Sequence, residues 1–124
     1  MTSTGIQDLM RVDSLIASKI NNILVSEMGN VNHINLYNAG DIWVAFDKSA
    51  YLLQQVSSHI DEAMVVELKD RPFPLIFHVI SNSDAYGLSR TTVNTITTTT
   101  HLQFLTRPIN THDFNTWYRS LVIV

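Results

Sequence analysis

Apolar positions along the chain fall into blocks of two spacings. From Thr4 to Met28 they recur at three- and four-residue intervals, at Ile6, Leu9, Met10, Ile16, Ile20, Ile23 and Leu24, with Val12 and Leu15 widening the stripe. This predicts one long amphipathic helix over residues 4–28, lying on a sheet. Thr4 and Gln7 have the spacing of a capping box, and Gly29 stands at the C-terminal cap. Residues 33–37 then alternate, with Ile34 and Leu36 on one side and His33, Asn35 and Tyr37 on the other, as in a half-buried strand. Asn38 to Asp41 is turn chemistry. Ile42 to Phe46 is apolar without a break, which predicts a central strand covered on both faces. Asp47 is placed to cap a second helix whose buried side is Leu52, Leu53, Val56 and Ile60.

The second half is less regular. Met64 to Leu68 and Leu75 to Ile80 read as strands on either side of the polar turn Lys69-Asp70-Arg71-Pro72. The segment Ser81-Asn82-Ser83-Asp84 is a helix-start signal. Residues 84–97 carry Ala85, Leu88 and Ile96 at helical spacing, and a helix is the expectation there. Gly87 and the threonines weaken it, and the threonine-rich run from 95 to 100 fits an extended conformation as well. His101 to Thr106 reads as a strand stopped by Pro108. Thr111 to Leu121 reads as a helix with Phe114, Trp117, Tyr118 and Leu121 on one side. The expected order is α-β-β-α-β-β-α-β-α. It describes one domain over residues 1–124, of the α/β (α+β) class, with a mixed sheet of about five strands and helices packed on it.

Composition narrows the function. Of 124 residues, 45% are hydrophobic and only 15% charged, so part of the surface is expected to be covered, and a homo-oligomer, most simply a homodimer, is the expected state. The apolar ending Leu121-Val122-Ile123-Val124 points the same way. The formal charge is −3 and the eight Lys and Arg are scattered, so charge does not favour nucleic acid as a partner. The absence of cysteine excludes thiol catalysis, disulfides and thiolate metal sites. No stretch has the length and apolarity of a membrane span, and Met1 to Met10 does not read as a signal peptide, so a cytoplasmic protein is expected.

Motifs are few. The histidines at 33, 59, 78, 101 and 112 lack metal-binding spacing, and His78 sits in an apolar strand, where a satisfied core role is expected. No phosphate-binding glycine loop or nucleophile elbow occurs, and neither a metal nor a cofactor is expected. One pattern has catalytic form: Glu67 and Lys69, two apart on a strand, share a face. Metal-dependent nucleases of the PD-(D/E)xK type resemble this, with Asp47 or Asp61 as the further acid and Lys69 positioning water. The Pro-Asp of that pattern is absent here, and a solvated strand end explains the pair more simply. Trp43 is expected in the core.

The run from the first helix through Ile34 to Val56 resembles the N-terminal domain, domain I, of the MutS mismatch-repair proteins. Gly40, Asp41, Trp43 and Phe46 match its G-D-F-Y-E-x-F strand in type and spacing, and Leu68 to Phe77 is similar to the Lys-, Arg- and Pro-bearing segment before its next strand. The resemblance implies a MutS domain I-like fold, with Ile42, Trp43 and Val44 as the binding residues and DNA as a partner. Ile42 and Val44 stand where that family has its wedging Phe and hydrogen-bonding Glu, and Val offers no hydrogen bond. The expectation is therefore a non-catalytic binding module of unknown ligand. The alternatives are a DNA-binding accessory protein and a divergent metal-dependent nuclease using Glu67 and Lys69.

Overall fold

The computed structural model describes residues 5–57, 60 and 62–122. It has helices α1 (Ile6–Met28), α2 (Asp47–Val56), α3 (Asn82–Thr91) and α4 (Thr111–Val122). Its strands are β1 (His33–Ala39), β2 (Ile42–Phe46), β3 (Met64–Val66), β4 (Leu75–Ser81), β5 (Val93–Thr97) and β6 (His101–Leu105). The strands form one sheet in the order β3-β4-β2-β1-β6-β5, and every neighbouring pair is antiparallel. The class is α+β as expected. The sheet has six strands where about five were expected, and none of its pairings is parallel.

The sixth strand comes from residues read as helix. α3 ends at Thr91, and residues 93–97 pair with β6, with an irregularity between Asn94 and Ile96. The β-branched residues there favour the pleated ladder once a partner strand is present.

The sheet separates two apolar layers. On one face α1 sets Val12, Leu15, Ile16 and Ile23 against Tyr37, Ala39, Ile42, Val44, Phe46, Phe77 and Val79. On the other, α2 and α3 cover Ile34, Leu36, Trp43, Ala45, Ile80, Leu102 and Phe104. α4 packs on α2 through Phe114 and Trp117 against Tyr51. β2 is buried at all five positions, as its apolar run predicts. β1 is covered on both faces too, with Asn35 and Tyr37 buried, so it is not half-exposed. Ile6 and Met10 are exposed and lie off the buried stripe of α1, and Val56 is exposed at the end of α2.

Helix ends differ from the local sequence signals in two places. The N-cap of α1 is Gly5, with no side-chain cap, and Thr4 lies outside the described residues. The N-cap of α2 is Phe46, not Asp47. Asp47 has φ +44, a left-handed conformation costly for a non-glycine residue. Its carboxylate turns away from the helix and accepts from the Ile76 N–H of β4 at 2.9 Å. The start of α3 is as expected: the Ser81 hydroxyl accepts from Asp84 N at 3.1 Å. In the β1–β2 loop Gly40 has φ +81, which a glycine adopts without strain, and a Cβ there would press on the Arg11 side chain.

Candidate functional site

Glu27 occupies the buried stripe of α1, four residues beyond Ile23, and is 4% exposed. Its carboxylate meets the first turn of α2. One oxygen accepts from Ser49 N–H at 2.8 Å and the other from the Ser49 hydroxyl at 2.7 Å. Asn30 and Asn35 amides each donate to it at 3.3 Å. Glu27 thus supplies, from twenty-two residues away, the N-terminal cap that α2 lacks locally. Burial nevertheless pushes its carboxyl up to about 7, against the Ser49 and Asn30 hydrogen bonds, and the charge of Asp47 adds to the rise. Asp47 is itself pushed up to about 6 by burial, opposed by the Ile76 N–H and by Lys48.

From Glu27 the network runs across β1 to β6. The Asn35 amide nitrogen faces Glu27, so its oxygen points the other way and receives Gln103 Nε2 at 2.9 Å. The same oxygen lies 2.9 Å from His101 Nε2. A carbonyl oxygen only accepts, so His101 carries its proton on Nε2 and leaves Nδ1 as an acceptor. No donor reaches Nδ1 among the described residues. Burial lowers the His101 pKa from 6.5, which favours this neutral ring. Tyr37 stacks on His101, with centroids 4.8 Å apart and planes 12° from parallel, and its other side rests against Phe46. The buried Tyr37 hydroxyl has no hydrogen-bond partner among the described residues. Burial raises its pKa from 10.0; nearby Ser26 opposes the rise without reaching hydrogen-bonding geometry, and the Glu27 charge adds to it. The phenol therefore stays protonated and able to donate.

Tyr37 and His101 lie at the floor of a groove of about 850 Å³ between α1 and the β1–β6 part of the sheet. Its walls include Ser14, Ser18, Asn21 and Asn22 of α1, with Asn38 and Thr100 opposite. The groove exists because α1 crosses β1 and β2 and leaves the same face of β5 and β6 open, where Val93 and Leu105 are exposed. A second cleft, of about 550 Å³, runs between α1, the start of β4 and α4, lined by Glu27, Asp47, Arg71, Phe73 and Tyr118. Two of the three acids there have structural duties, Glu27 on Ser49 and Asp47 on Ile76, which makes this cleft chiefly a latch joining α1, α2 and β4, and the third, Asp70, is exposed.

The residues singled out from sequence lie elsewhere. Ile42, Trp43 and Val44 are interior to β2, and the Trp43 indole donates to Asn82 Oδ1 at 2.7 Å. Glu67 and Lys69 are exposed beyond the end of β3, and Asp61 and His59 lie outside the described residues. Asp47 is held by β4. No group of three His, Asp or Glu side chains placed to share a metal occurs among the described residues. His78 is buried and meets Gln54 Oε1 at 3.1 Å, a satisfied core histidine. No helix among the described residues is long and apolar enough to cross a membrane. The chain matches no family model, no curated protein and no solved structure.

Sequence reasoning missed Glu27, Asn35, Tyr37 and His101. One signal was available: a glutamate on the apolar stripe of a helix, where only a paired carboxylate is tolerated.

Proposed function

We propose that this domain is a non-catalytic binding module, cytoplasmic and homodimeric, built on a MutS domain I-like scaffold and holding a small ligand in the α1–β1–β6 groove. One observation carries the reading. The groove is lined by His101, whose Nδ1 is an acceptor without a protein donor among the described residues, and a buried chain from Glu27 through Asn35 fixes that ring. An acceptor held in a fixed direction at a groove is placed to meet a ligand donor. A binding role fits better than a catalytic one because Glu27 and Asp47 of the second cleft are engaged within the fold, and Glu67 and Lys69 stand apart from both concavities. Self-association would cover exposed apolar side chains such as Phe73 and Leu121.

A ligand-observed NMR screen of small polar fragments tests this. Asn22→Trp places a large side chain on an exposed position of α1 and should obstruct the groove without harming the core. Fragments should bind the natural protein, emerge chemically unchanged, and lose their signal with Asn22→Trp. Fragments insensitive to that change, or converted to products, would refute the proposal. Light scattering should give twice the chain mass; a monomer would remove the dimer from it.

A further inference from the structure

The two edges of the sheet are unlike. β3 is three residues long and is flanked by exposed Glu62, Glu67, Lys69 and Asp70, and a short, charged edge resists further pairing. β5 is five residues long and exposed at four of them. No Lys, Arg, Asp or Glu occurs from Thr91 to Thr106, a span that holds β5, β6 and the turn between them. The inner side of β5 pairs with β6. Among the described residues no other element bonds to the backbone of β5 on its outer side. The bulge between Asn94 and Ile96 twists this edge but brings it neither charge nor proline. The outward N–H and C=O groups of such a strand are a template for another strand.

Charge selects the occupant. A charged peptide finds no complementary side chain along β5, whereas β5 against its own copy brings no like charges together. Apolar exposure points to the same partner. Val93 lies opposite Leu105 and Ile96 opposite Gln103, on the side of the sheet that α1 leaves open, and Val93 is 62% exposed. A five-residue strand is only about 17 Å long, a narrow strip beside the roughly 800 Å² per partner of a standard interface, so this open face has to contribute and a micromolar affinity is expected. We propose that β5 pairs antiparallel with β5 of a second copy about a two-fold axis near Thr95, joining the two sheets edge to edge. Val93 of each copy then lies by Thr97 of the other, and the open faces of the two sheets adjoin. The inference rests on the homodimer reading and specifies its interface.

The test is sedimentation velocity of the full chain from about 5 to about 200 μM, which brackets micromolar association. Val93→Lys combined with Thr97→Lys changes two exposed positions and should leave the melting temperature nearly unchanged. It should weaken self-association at least about 10-fold, because lysines of the two copies would meet across the pair. Phe73→Ser, at the second cleft, should leave association intact. The chain has no cysteine, so Asn94→Cys, Thr95→Cys and Ile96→Cys each introduce a single thiol. A two-fold antiparallel pair sets one residue opposite its own copy with Cα atoms about 4.5 to 5.5 Å apart, within reach of a disulfide. With oxidised glutathione, one of the three should crosslink at least about 10-fold faster than Val65→Cys on the other edge. A dimer that the lysine pair leaves intact, or that Phe73→Ser dissociates instead, would overturn the edge and keep the homodimer. Should the lysine pair prevent folding, the thiols decide, and crosslinking no faster than that of Val65→Cys overturns the edge. A natural protein monomeric throughout the range would overturn both.

Discussion

Raising the pH from about 5 to about 8 should destabilise this protein, and Glu27 should be the main reason. A carboxyl of 4.5 in the unfolded chain is pushed up to about 7 in the folded one, where four donors surround it but water does not. Between those values the folded chain binds more protons than the unfolded chain, so stability falls as pH rises. The contribution is fully present below the unfolded value and is lost through the folded one. The displacement corresponds to about 3 kcal/mol. Asp47, raised from 3.8 to about 6 by burial, acts with the same sign at somewhat lower pH, and its charge adds a small part of the rise at Glu27. His101 acts oppositely: its lowered pKa stabilises the fold above 6.5 and that gain is lost as pH falls through the folded value. Urea unfolding followed by tryptophan fluorescence, with Trp43 buried as the reporter, gives the curve at each pH. Glu27→Gln isolates the cause. It cannot ionise, and although its amide nitrogen would oppose one of the neighbouring donors at every pH, the loss of stability between neutral and alkaline conditions should shrink by most of the 3 kcal/mol or so assigned to Glu27. Parallel pH curves for the two proteins, or a natural protein that gains stability toward about pH 8, would refute the account.

Three further outcomes follow from the packing. Trp43→Ala should cost about 3 to 5 kcal/mol in urea unfolding followed by far-ultraviolet circular dichroism, because the indole is 1% exposed and hydrogen-bonded to Asn82; a loss below about 1 kcal/mol would place it outside the core. Asp47→Asn keeps an acceptor for Ile76 N–H, tolerates the left-handed backbone and has no charge to bury, so at about pH 8 it should equal or exceed the natural protein in stability. A marked loss there would show that the charge itself holds β4. Glu67→Ala, at an exposed position, should alter stability by no more than about 0.5 kcal/mol, and neither protein should cut duplex DNA with Mg²⁺. Mg²⁺-dependent cleavage that this substitution abolishes would restore the nuclease reading.

Local pattern was enough for what local physics controls. The unbroken apolar run from Ile42 to Phe46 determined a strand buried on both faces, because only a covered strand tolerates five apolar side chains in succession. The spacing of Val12, Leu15, Ile16 and Ile23 determined a long helix on the sheet, and Ser81 with Asp84 determined where α3 begins. Tertiary structure decided everything that depends on a distant partner. Residues 93–97 became a strand because β6 offered its edge, and a threonine-rich run has no strong preference until such a ladder exists. Asp47 looked like a cap but bonds to β4, while Glu27 became the cap of α2, since orphan helix N–H groups donate to any acceptor that packing delivers. The polar face of β1 read as solvent-facing, yet α1 covers it, and that cover turned Asn35 and Tyr37 into buried groups needing partners. The groove's chemistry joins Asn35 to His101 across sixty-six residues of sequence, so no local pattern could have displayed it: alternation fixes which face a side chain takes, and only the sheet order fixes its neighbour.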